Sequence, residues 1–64
     1  MTKQDWMISI EGAISALCKV GKNADVEYVL RIFGHGARCA EDLLPGDFDM
    51  VFSELYQRLA DLDD

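Results

Sequence analysis

Apolar residues recur along this chain at steps of three and four, the spacing that gathers them on one face of an α-helix. Trp6, Ile10, Ala13, Ile14, Leu17 and Val20 form a first row, and Val26, Val29, Leu30 and Phe33 a second. Phe48, Val51, Phe52, Leu55, Leu59 and Leu62 form a third, the strongest of the three. The pattern predicts helices over about residues 3–20, 24–33 and 46–62, with a short helical turn near 40–43. No segment alternates apolar and polar residues as a half-buried strand does. The expected fold is all-α, a compact bundle of three main helices forming one domain over residues 1–64.

The residues that bound these rows agree with them. Thr2 and Asp5 have the spacing of a capping box at the first helix, and Gly21 suits its left-handed cap. Asn23 is the expected N-cap of the second helix, with Asp25 and Glu27 in the positive first turn and Gly34 as its stop. Pro45 opens the third helix, since proline has no amide proton to lose there. Asp61, Asp63 and Asp64 place negative charge at that helix's negative end, so the last turn is expected to fray. Gly12 weakens the middle of the first helix.

Size narrows the reading. For 64 residues, the hydrophobic gain of burying about 6,300 Å² roughly cancels the entropy of ordering the chain. Such a protein either packs its helices very well or gains stability from a partner or a second copy. Half of the residues are apolar, which argues against disorder. No apolar run is long enough to span a membrane, and the first residues lack the order of a secretory signal. A cytoplasmic location is expected, with Cys18 and Cys39 as thiols.

Charge changes the picture further. The net charge is −6, and it is unevenly placed: residues 1–39 carry five bases and four acids, residues 40–64 one base and eight acids. On the last helix Asp47, Glu54 and Asp61 fall seven apart, away from the apolar stripe, with Arg58 one turn beyond Glu54 and able to pair with it. This row is either a solvated face or an acidic surface offered to a basic protein partner. Imitation of nucleic-acid phosphates would require Glu41, Asp42 and Asp49 to fill the gaps in the row. Direct nucleic-acid binding is disfavoured, because six bases are scattered without forming a patch.

A second apolar set falls off the core rows: Ile8, the i, i+4 pair Tyr28 and Ile32, and Met50. In a bundle such residues either pack against a second neighbouring helix or form an interface. The candidate partner-binding residues are accordingly Tyr28, Ile32, Asp47, Met50, Glu54 and Asp61.

Reactive chemistry has little to build on. His35 and Cys39 supply two metal ligands at most, Cys18 stands apart, and there is no Cys-x-x-Cys pair or second histidine. A metal-dependent enzyme using His35 and Cys39 is the remote alternative; no cofactor and no catalytic activity are expected. Gly34-His35-Gly36 lacks the lysine of a phosphate-binding loop.

From Val26 to Leu62 the chain reads Tyr28-Val29-Leu30, Phe33-Gly34, Glu41-Asp42-Leu43, Pro45, Asp47-Phe48, Val51-Phe52, Glu54-Leu55 and Ala60-Asp61-Leu62. This stretch resembles small helical proteins and domain ends of bacteriophages and other mobile elements. The resemblance carries no catalytic residues. It implies a protein that binds host machinery stoichiometrically, anti-CRISPR inhibitors being one kind. The expected function is binding to a protein partner, in its sharpest version inhibition of a nucleic-acid-handling enzyme. The competing expectation is a self-associating module in which Ile8, Tyr28, Ile32 and Met50 meet across a two-fold axis.

Overall fold

A computed structural model describes residues 2–62. Helix α1 spans Lys3–Lys19, α2 spans Asn23–Ile32 and α3 spans Phe48–Asp61. Two 3₁₀ turns, Ala40–Asp42 and Pro45–Asp47, lie in the connection between α2 and α3. The three helices pack into a bundle with no strand among the described residues, as the periodicity requires.

Caps fix where each helix begins and stops. The Thr2 hydroxyl accepts a hydrogen bond from the Asp5 N–H at 3.2 Å, and the Asp5 carboxylate accepts one from the Thr2 N–H, which completes the capping box. At the other end Gly21 takes φ +79°. The N–H groups of Gly21 and Lys22 then bond back to the carbonyls of Cys18 and Leu17, satisfying acceptors that a helix end leaves open. Helix α2 starts one residue earlier than predicted: Lys22 occupies the cap without a side-chain bond, and Asn23 is already helical. The Schellman turn that ends α1 sets this register, because it leaves no residue between Lys22 and the first turn of α2. The expected fraying at Asp63 and Asp64 lies outside the described residues.

Ile10, Leu17, Val29, Val51 and Leu55 are fully buried, one or two from each helix. Trp6, Met7, Ile14, Phe33, Phe52 and Leu59 close over them from the sides. Two predicted core positions, Val20 and Leu62, are exposed, because each follows the last turn of its helix and the row no longer faces a neighbour. Two others enter the core from the connection, Ala40 and Leu43. Gly34 makes room for Leu43: a Cβ at Gly34 would stand 2.5 Å from a Leu43 methyl and 2.6 Å from the Leu30 carbonyl.

The direction of the helices follows from their contacts. Trp6, early in α1, packs edge-on against Phe52 at 5.8 Å and beside Phe48 at 6.4 Å, both early in α3, so α1 and α3 run the same way. Lys22 and Asp25, where α2 begins, share a groove with Gln57, Arg58 and Asp61, where α3 ends. Beyond the other end of α2, His35 bonds Asp47 just before α3. Helix α2 is therefore antiparallel to α3, and the bundle runs up, down, up. The exposed surface of 4353 Å² is close to the roughly 4,100 Å² that area scaling gives a folded monomer of this length.

Candidate functional site

Each pair of helices leaves a seam on the surface, and the three seams differ in chemistry. Between α1 and α3 the seam is aromatic: Trp6 meets Phe52, and Phe52 meets Tyr56 at 5.4 Å. Between α1 and α2 lies a mainly apolar cleft of about 270 Å³ whose walls include Ile14, Val26, Leu30 and Ala40, with Glu11, Arg38, Cys39 and Glu41 around it. Between α2 and α3 lies a groove of about 450 Å³ bordered by Lys22, Asp25, Glu54, Gln57, Arg58, Asp61 and Leu62.

Most of the sequence-derived candidates stand on the two helices that form the α2/α3 seam. Tyr28 and Ile32 stand one turn apart on α2 and are each 53% exposed, and Met50 on α3 is 54% exposed. None of them is the internal second stripe that a helix with two neighbours could have used. Arg58 holds the middle of the seam. Its guanidinium lies 5.7 Å from the centre of the Tyr28 ring and 3.1 Å from the Glu54 carboxylate, and it also donates to the Glu54 carbonyl. Asp61 is exposed at the end of α3, beside Lys22 and Asp25. Five of the six candidates, Tyr28, Ile32, Met50, Glu54 and Asp61, thus lie on helices that share one seam.

Asp47 does not extend the row of acids. It belongs to the 3₁₀ turn Pro45–Asp47 and not to α3, so the seven-residue helical spacing that linked it to Glu54 does not apply. Pro45 and Gly46 enter the helix through a tighter turn, which re-aims the side chain of Asp47. Its carboxylate is 2.7 Å from His35 Nδ1, with the Asp47 side chain 16% exposed and the imidazole 70% exposed.

The remaining acids of this half are dispersed. The Asp42 carboxylate accepts the Arg38 N–H at 3.4 Å. Glu41 borders the α1/α2 cleft. Asp49 is exposed on α3, about 100° of helix away from Met50. The excess of acid after residue 39 is therefore split among several surfaces.

Ile8 is 63% exposed but sits on α1, about 200° around the helix from buried Ile10, and so belongs to none of the seams. Cys18 and Cys39 are both exposed thiols. Cys39 borders the α1/α2 cleft while His35 is bonded to Asp47, so these two side chains are committed to different surroundings. Among the described residues, no three His, Cys, Asp or Glu side chains gather closely enough to hold a metal ion. No helix among them is long and apolar enough to cross a membrane.

Sequence reasoning missed Lys22, Asp25 and Arg58 as parts of one groove, and Tyr56 as the exposed end of an aromatic seam. The i, i+4 spacing of Phe52 and Tyr56 was a usable signal for the seam. Nothing in the sequence says that the first turn of α2 meets the last turn of α3. These elements define an all-α three-helix bundle with a mixed apolar and charged face on α2 and α3. No family model matches the chain, nor does any curated protein or solved structure.

Proposed function

We propose that this protein is a non-catalytic binding module that engages a protein partner stoichiometrically through the α2/α3 face. One observation carries the reading: Tyr28, Ile32 and Met50, all more than half exposed, stand on the same pair of antiparallel helices as Asp25, Glu54 and Asp61. Tyrosine and methionine anchors ringed by charge are the composition of a protein interface, where apolar residues at the centre supply most of the affinity. The acids at the rim steer a basic partner into register.

Internal pairing shifts the weight from charge to apolar contact. Glu54 is shared with Arg58 and Asp47 with His35, which leaves Asp61 and Asp25 as the acids of this face outside those pairs. Imitation of a phosphate row is accordingly not part of the proposal. Inhibition of a nucleic-acid-handling enzyme through a basic surface patch is its sharpest version.

Titration against a basic nuclease at increasing salt tests it. Affinity is expected to fall as ions screen Asp25 and Asp61, and Tyr28→Ala or Met50→Ala is expected to weaken binding at least about tenfold, at roughly 2 kcal/mol per anchor. Affinity that ignores both salt and these substitutions defeats the proposal.

A further inference from the structure

We infer that the α2/α3 face also accepts a second copy of this chain in a two-fold dimer, so that self-association and partner binding compete for one surface. The inference rests on the face assigned above, and its basis is the self-complementary order of groups along that face. At one end of the seam stand Lys22 on α2 and Asp61 on α3, both exposed and bordering the same groove. Toward the other end, one turn beyond Tyr28 and one turn before Glu54, stand Ile32 and Met50.

A two-fold axis parallel to the helices lays α2 of one protomer on α3 of the other without reversing the ends. Ile32 then meets Met50 of the second copy, and Lys22 meets Asp61, each contact occurring twice because a two-fold interface is isologous. An axis perpendicular to the helices would set the charged end against the apolar end and satisfy neither.

The structure leaves these groups available. Among the described residues the ion pairs are His35–Asp47 and Arg58–Glu54, so Lys22 and Asp61 border one groove without pairing with each other. A standard interface removes about 800 Å² from each partner, a little under a fifth of the 4353 Å² that this chain exposes. In a body measuring 30 × 23 × 16 Å, that area needs a whole two-helix flank, not a single exposed residue. Ile8 lies outside this flank and takes no part.

Sedimentation equilibrium of the full chain, from micromolar to millimolar concentration and with no other protein present, tests the dimer. A reversible monomer–dimer equilibrium is expected. Ile32→Glu with Met50→Glu should raise the dissociation constant at least about 100-fold, since two apolar anchors are lost from each protomer and two charges are set against each other twice. Both residues are more than half exposed, so the melting curve of the monomer, recorded well below the dissociation constant, should not move.

Lys22→Glu should weaken the dimer several-fold, because the exposed pair is lost twice. Adding Asp61→Lys to it should restore the wild-type constant. Asp61→Lys places the favourable sign at the end of α3, whereas Lys22→Glu does so at the start of α2 but not at the end of α1, so each variant's melting curve is recorded beside its dimer constant and the rescue by the double variant decides. A chain that stays monomeric throughout, an undiminished dimer in the Ile32/Met50 variant, or a charge swap without rescue overturns the inference.

The basic nuclease then separates the two readings. A monomer that binds it leaves the partner function standing without the dimer. A dimer that never binds it does the reverse, and a complex retaining the dimer overturns the competition.

Discussion

Gly34 and Gly12 show how one residue type serves opposite ends in a small bundle. Gly34 is buried where the connection folds back, and the Leu30 carbonyl that a methyl group would strike belongs to the helix backbone and cannot turn aside. Gly34→Ala is expected to cost about 1–3 kcal/mol, as overpacking does, and a lowered urea midpoint would show it. Gly12 stands in mid-helix with no neighbour within 4 Å of an added Cβ. Gly12→Ala should raise the same midpoint, by about 0.5–1 kcal/mol of stability.

His35 adopts φ +56°, a left-handed backbone that glycine adopts readily and residues with a Cβ resist. Its bond to Asp47 offsets that strain. His35→Ala loses the bond and keeps the strain, whereas His35→Gly loses both, so the alanine variant should be less stable by about 1 kcal/mol. Equal urea midpoints for the two variants would contradict this account.

Elements were the most legible level of the chain. Periodicity located all three helices, and Thr2, Gly21 and Gly34 marked ends within a residue or two of their observed positions, whereas Pro45 opens the 3₁₀ turn and α3 begins three residues on, at Phe48. Thr2→Ala should remove the capping bond and lower stability by about 0.5–1 kcal/mol, measurable as a lowered thermal midpoint. What escaped the sequence lies between α2 and α3. A 3₁₀ turn is too short to show a period, so Ala40 and Leu43 carried no core signature although both are buried. The same blind spot gave Asp47 a helical register that its turn denies it.

For the molecule as a whole, the candidate residues were legible but their grouping was not. Tyr28, Ile32 and Met50 could be set apart because they fall off the core rows, a property of each helix alone. That Lys22 borders one groove with Asp61, or that Arg58 lies over Tyr28, depends on which helices are neighbours and in which direction they run. The core has little reserve in a chain this short: Leu55→Ala, at a fully buried position on α3, should cost about 2–5 kcal/mol. That is a large part of a small domain's total stability, and calorimetry should show a strongly lowered or absent transition.

The most extensive helix packing joins α1 to α3, the elements farthest apart in the sequence, with α2 added on the return path. A stretch that ends before α3 therefore leaves α1 without its principal packing partner, and residues 1–44 alone are expected to show little stable helix by circular dichroism.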